Sequence, residues 1–189
     1  PTVSDCTFSL NTADYGGGMM NSNSRPTLTD CAFLGNTAGD GGGVFNNFSN
    51  ATVTHCTFRG NRAVSGGGME NYVSSPMVSN STFIGNGAVD RGGGMYNNSF
   101  SIATVTHCTF SGNSASTGGG IGNRGSNATV TNCIFWRDSP DEIVNLQAST
   151  PTIRFSDVEG GIPSGAVDGG GNIDLDPMFV RPPDPGPDG

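Results

Sequence analysis

The chain has 189 residues, of which 31 are glycine and 11 proline, with only 33% hydrophobic and 13% charged residues. That glycine load makes a helical protein hard to build, since each interior glycine costs ~1 kcal/mol relative to alanine, and collagen is excluded because glycine does not recur at every third position. Eight arginines and no lysine against 16 acidic residues give a net charge of −8, which argues against nucleic-acid partners and anionic membranes; no apolar run of ~18 residues is present to insert in a bilayer.

From the first residue onward the chain repeats itself. Residues 1–11 (PTVSDCTFSLN) recur at 26–36 (PTLTDCAFLGN), 51–61 (ATVTHCTFRGN), 76–86 (PMVSNSTFIGN) and 103–113 (ATVTHCTFSGN). A weaker copy starts at Ala128 and a degenerate one at Pro151. About fifteen residues into each regular unit stands a glycine triplet followed by Met19, Val44, Met69, Met95 or Ile121. Periods of 20–50 residues indicate solenoids or propellers. Units of about 25 residues are too short for a propeller blade or a helical pair, and fit one turn of a parallel β-helix whose turns stack ~4.8 Å apart. The predicted fold is therefore all-β: a right-handed parallel β-helix (β-solenoid) of about seven turns. One domain is expected over residues 1–180, regular over 1–145 and degenerate over 146–180, followed by a Pro/Gly-rich tail at 181–189.

Within each turn Val3, Cys6, Phe8 and Met19 are expected to face inward and Thr2, Ser4 and Thr7 outward. The Val–Cys spacing of three breaks strict alternation, which places a bend near Asp5. Stacking turns identical positions into columns. Phe8, Phe33, Phe58, Phe83, Phe110 and Phe135 form an aromatic stack. Ala13, Ala38, Ala63, Ala88 and Ala115 form a small-residue column, read as a tight corner. Asn11, Asn36, Asn61, Asn86 and Asn113 form one asparagine column; Asn21, Asn46, Asn71, Asn97, Asn123 and Asn145 form another. An amide both donates and accepts, so such columns can bond along the axis. These asparagines read as structural.

The Phe-x-x-Asn motifs at 8–11, 33–36, 58–61, 83–86 and 110–113, each paired with a Gly-Gly-Gly-aliphatic motif, resemble the repeats of the polymorphic outer-membrane proteins and related bacterial right-handed β-helices. The resemblance covers about residues 1–145, with glycine standing where that family carries alanine. It implies a β-solenoid on the cell surface or outside the cell, in adhesion or surface display. The segment Asp176-Pro177-Met178-Phe179-Val180 similarly resembles stretches that close bacterial extracellular β-helices.

Cys6, Cys31, Cys56, Cys108 and Cys133 share one repeat position, which Ser81 fills in the fourth turn. Side chains in a regular stack point the same way and stay too far apart for disulfide geometry, so buried free thiols are expected. Asp30 and His55 lie on adjacent turns of a polar column that reads as an outward corner. Asp14, Asp40 and Asp90 are read as lying in turns before the glycine triplets, while Asp138, Asp141 and Glu142 cluster where the repeat weakens, and Asp174 and Asp176 near the end. None forms a recognisable acid–base set, although a loose Ca²⁺ site is conceivable there. No catalytic residue, metal ligand or cofactor is assigned. The leading reading is a structural extracellular or cell-surface scaffold, adhesin stalk or head-to-tail filament subunit. The alternative is a β-helix that binds or degrades polysaccharide, and a further one is ice binding through the Thr-x-Thr face (Thr27/Thr29, Thr52/Thr54, Thr104/Thr106, Thr129/Thr131). Expected partners are accordingly further copies stacked end to end, or a polysaccharide or host-surface ligand. Because the sequence opens directly on a repeat, a longer solenoid or a neighbouring copy is expected to cover the first turn.

Overall fold

A computed structural model describes residues 1–179; the predicted tail at 181–189 and the last residue of the predicted domain lie outside the described residues. The first turn sets the pattern with four short strands, β1 (Thr2–Ser4), β2 (Thr7–Ser9), β3 (Thr12–Tyr15) and β4 (Met19–Ser22). Each pairs in parallel with its counterpart one repeat later, for example Val3 with Leu28, Phe8 with Phe33, Ala13 with Ala38 and Asn21 with Asn46. Propagation yields four parallel sheets of eight, seven, four and six strands. Six turns run the full circuit; a seventh is shortened and returns through Val167–Asp168 to the β1 sheet. Among the described residues there is no helix.

The chain turns at left-handed corners. Asp5, Asp30, His55, Asn80, His107 and Asn132 all have φ between 48° and 54°, the region in which Asn, Asp and His are the commonest non-glycine residues. This is the bend expected at Asp5, and it explains why one column collects these three residue types without any shared chemistry. A second left-handed corner follows β2 at Leu10, Gly35, Gly60, Gly85 and Gly112, and a third opens each glycine triplet at Gly16, Gly41, Gly66, Gly92 and Gly118. A fourth follows β4 at Asn23, Phe48, Val73, Ser99 and Gly125. Val73 is the costly member: a β-branched residue at φ 48°, where non-glycine residues other than Asn or Asp pay ~1–2 kcal/mol. Val73→Asn, restoring the residue of the first turn, is expected to raise stability by about 1 kcal/mol, read as a shift of the urea midpoint at unchanged m-value.

The second and third glycines of each triplet serve close approach. A Cβ on Gly68 would lie 2.5 Å from the Gly94 carbonyl oxygen and 2.9 Å from the Phe83 ring, and one on Gly42 would meet the Gly67 and Arg62 oxygens at 2.4 and 2.6 Å. The triplets hydrogen-bond turn to turn, as in Gly67 N–H to the Gly92 oxygen at 3.1 Å and Gly68 N–H to the Gly93 oxygen at 3.0 Å. The alanine column is where the structure departs from the expected corner. Ala13, Ala38, Ala63 and Ala88 sit inside strands, with Ala38 and Ala63 buried. The glycine triplets pass close to the backbone of that sheet, where a Cβ on Gly17 would meet the Thr37 oxygen at 2.7 Å and one on Gly67 the Gly87 oxygen at 2.5 Å. Asp14, Asp40 and Asp90 likewise lie within these strands, not in turns.

The fourth turn holds two extra residues. One makes a bulge, so that Ser65 pairs with Arg91 after Ala63 pairs with Ala88; the other gives that turn a double corner, Ser99 and Phe100, both at positive φ.

Candidate functional site

Two sets of side chains carry the chemistry of this chain: ladders inside the solenoid and a cleft outside it. The rings of Phe8, Phe33, Phe58, Phe83, Phe110 and Phe135 stack with centroids 4.5–5.0 Å apart and planes within 9° of parallel. Beside them the Asn11 Nδ2 donates to Asn36 Oδ1 at 3.0 Å, and the series continues through Asn61, Asn86 and Asn113 at 2.9–3.0 Å. Each Oδ1 also accepts the backbone N–H of the preceding rung, as Asn61 does from Asn36 at 3.0 Å. Each Nδ2 also donates to the carbonyl of the phenylalanine of the preceding turn, as Asn61 does to Phe33 at 2.9 Å. A buried amide thus uses donor and acceptor completely. Asn113 ends the series on Asp138 Oδ1, which accepts its N–H at 2.7 Å and its Nδ2 at 2.8 Å. A carboxylate suits this rung because it accepts and need not donate.

Asn21, Asn46, Asn71, Asn97, Asn123 and Asn145 form a second ladder at 2.9–3.0 Å. A third ladder was not anticipated from the sequence. The backbone N–H groups of Ser24, Ser49, Ser74, Ser101 and Ser126 donate to the hydroxyls of Ser49, Ser74, Ser101, Ser126 and Ser149 at 2.9–3.1 Å. Its signal was present as a serine three or four residues after each second asparagine, but serine is too common in this chain to stand out.

All five cysteines are free, with Cys31, Cys56, Cys108 and Cys133 buried and Cys6 exposed. Each thiol contacts the carbonyl two residues before it, at 3.1–3.4 Å. Ser81 makes the same bond to Ser79 at 2.8 Å, so the column is a row of small weak donors. Burial pushes the Cys56 thiol up to about 11, which disfavours the reactive thiolate. His55 Nδ1 stands 4.0 Å from Asp30 Oδ1, with both side chains more than half exposed.

On the outer surface the residues after the inward aliphatic of the β4 sheet are Met20, Phe45, Glu70, Tyr96, Gly122 and Val144. They point away from the core, yet Phe45, Glu70 and Tyr96 are buried at 7, 4 and 2% exposure. Met20, Phe45, Glu70 and Tyr96 form the floor of a cleft of about 560 Å³, walled by Tyr15, Asp40, Ser65 and Arg91 on one side and by Asn47, Tyr72, Asn98 and Arg124 on the other. Glu70 stands in register between Phe45 and Tyr96. Burial between these rings, with the Asp40 carboxylate nearby, pushes its carboxyl up to about 8, and its Oε2 is buried without a hydrogen-bond partner. Glu70 is therefore a neutral acid at pH 7, able to donate one hydrogen bond. Neither Arg91 nor Arg124 forms a salt bridge among the described residues, but Arg124 donates from Nη2 and Nε to the Gln147 side-chain oxygen at 3.0 and 3.2 Å.

A larger open cavity of about 820 Å³ lies where the repeat weakens, lined by Asp138, Glu142 and Glu159 among others. One oxygen of each of these carboxyls is engaged internally, while Asp138 Oδ2 and Glu142 Oε2 are buried without a hydrogen-bond partner. Glu142 Oε1 accepts the Asp138 N–H at 3.1 Å and Glu159 Oε2 accepts the Arg137 N–H at 2.6 Å. Burial raises both the Asp138 and Glu142 carboxyls well above the ordinary range, so the pair holds a proton. Among the described residues no group of three or more His, Cys, Asp or Glu side chains is placed to hold a metal ion.

Parallel in-register sheets, one aromatic stack and two amide ladders running from the first turn to the sixth define a parallel β-solenoid of repeated turns. The right-handed β-helix region matches residues 1–100, more than half of the chain, and the protein belongs to that family. Residues 107–124 match the Chlamydia polymorphic membrane protein repeat. No curated protein and no solved structure gives a match.

Proposed function

We propose that this chain is a rigid structural segment of a surface-exposed or secreted protein, a scaffold or adhesin stalk built by stacking turns. The observation that carries the reading is the uniformity of the interior. From the first turn to the sixth, the aromatic position and the second amide position keep one residue type and one register, and the first amide position does so through the fifth turn before Asp138 closes it, so the repeated features of the sequence serve stiffness along one axis. The resemblance of residues 107–124 to a polymorphic membrane protein repeat supports placement at a cell surface. The test is protease shaving of intact source cells, followed by mass spectrometry of released peptides. Release of peptides from residues 1–179 without cell lysis is the expected result, or their recovery from the medium if the protein is secreted. Recovery only after lysis would overturn the reading. Electron micrographs of the purified protein separate the two finer forms, with discrete short rods for a stalk and long polymers for a subunit stacked head to tail.

A further inference from the structure

The first amide ladder ends on two acids. Asparagines from Asn11 to Asn113 fill its first five rungs, and Asp138 takes the sixth, accepting from Asn113 through Oδ1. Each asparagine N–H finds its acceptor one turn on, whereas the Asp138 N–H finds Glu142 Oε1, four residues along the chain, at 3.1 Å. Glu142 stands in register with Gly120, at the position that the third glycine of each triplet holds in the earlier turns. An asparagine and a glycine of the repeat have thus given way to two neighbouring acids.

A cap requires less than this. One accepting oxygen at each position closes the ladder, and asparagine at 138 with glutamine at 142 would supply both. The acids leave over Asp138 Oδ2 and Glu142 Oε2, each buried with no hydrogen-bond partner, in residues only 6% exposed. Both residues line the open cavity of about 820 Å³ together with Asp141 and Glu159, and none of its described lining residues is an arginine or histidine. Uncompensated carboxylates are costly to bury, and within the protein a shared proton relieves that cost. A ligand that brings positive charge and N–H donors would take the proton's place. A metal ion does not suit, because among the described residues no three such side chains are placed to ligate one. A guanidinium does suit: its charge is permanent, and its fork of N–H donors matches carboxylate oxygens. Pro140, Ile143, Val144 and Pro163 offer apolar surface to the carbon stem that carries such a group.

We propose that the cavity at the end of the first amide ladder binds a guanidinium or primary ammonium group, held by Asp138 and Glu142 in the negative field of Asp141 and Glu159. The experiment is calorimetric titration of the full chain at neutral pH with agmatine and with a blocked arginine tripeptide, beside tetramethylammonium and calcium chloride. Saturable binding of the two guanidinium ligands alone is expected, and the tighter of them identifies the source as a free small molecule or a protein side chain. Asp138→Asn restores the residue of the earlier rungs, and Glu142→Gln retains the capping oxygen. Each should weaken binding about tenfold or more, the loss of one charge-assisted contact. Asp5→Asn, in the first turn, should change nothing. Circular dichroism of every variant verifies folding. Should either variant fail to fold, the wild type still decides the matter. A cation that replaces the shared proton releases about one proton on binding, read as a binding enthalpy that varies with the ionisation heat of the buffer. Absence of saturable binding overturns the proposal. So does equal binding of tetramethylammonium or calcium, so does indifference to both substitutions, and so does binding without proton release.

Discussion

Asn61→Ala is expected to be among the most damaging single substitutions in the chain, costing about 4 kcal/mol or more. Asn61 is fully buried and stands mid-ladder, so its removal strands partners on both sides. Above it, the Asn36 N–H and one Asn36 amide hydrogen lose their acceptor. On the same side the Phe33 carbonyl loses its side-chain partner, and below it Asn86 Oδ1 loses the amide donor that accompanies the residue-61 N–H. Each buried polar group left unpaired costs ~1–3 kcal/mol, and the cavity where the amide stood adds to it. Against the ~5–15 kcal/mol that holds a typical domain together, such a loss melts the central turns. Asn61→Asp makes the mechanism visible. It fits the same space and keeps both acceptances from Asn36, as Asp138 does for Asn113, but it cannot donate to Asn86 or Phe33. Urea unfolding followed by circular dichroism should rank wild type above Asn61→Asp at acidic pH, then Asn61→Asp at neutral pH, then Asn61→Ala. An alanine variant within about 1 kcal/mol of wild type would show that the ladder is decorative.

The interior was legible because stacking converts a repeat in sequence into a column in space. The Phe8 and Asn11 positions return at fixed spacing, and a residue that must satisfy an identical neighbour above and below can hardly vary. The corners were only half legible. The Asp5 column announces itself through Asp, Asn and His, whereas Asn23, Phe48, Val73 and Ser99 share a left-handed φ and no side-chain chemistry at all. The alanine column was seen and misplaced for a related reason: alanine reports that space is short, without reporting whether a turn or a neighbouring backbone takes it. Nothing in the sequence pointed to the cleft. Its floor residues are distinguished by failing to repeat, and a search for periodicity passes over them. Glu70 in particular reads as an unremarkable surface acid until Phe45 and Tyr96 are seen closing over it in register.

That enclosure gives the protein an inverted response to pH. Glu70 keeps its proton in the folded state to about pH 8, whereas the unfolded chain releases it near the ordinary value of 4.5. Between those values the native state binds the extra proton, so the slope of unfolding free energy against pH is negative. The stabilising contribution is complete below about pH 4.5 and is lost as pH rises through about 8. The Asp138–Glu142 pair, whose carboxyls are also raised by burial, acts in the same direction. Thermal unfolding is therefore expected at higher temperature at pH 5 than at pH 8, with Glu70 contributing on the order of 3 kcal/mol to the difference. The net charge of −8 relaxes on acidification too and would tilt the curve the same way without any buried carboxyl. Glu70→Gln separates the two causes. Its neutral amide cannot ionise, so the variant should gain stability at pH 8, keep close to the wild-type value at pH 5 and show a distinctly flatter profile between them. Parallel profiles for variant and wild type would assign the whole pH response to surface charge and return Glu70 to the ordinary carboxylate range.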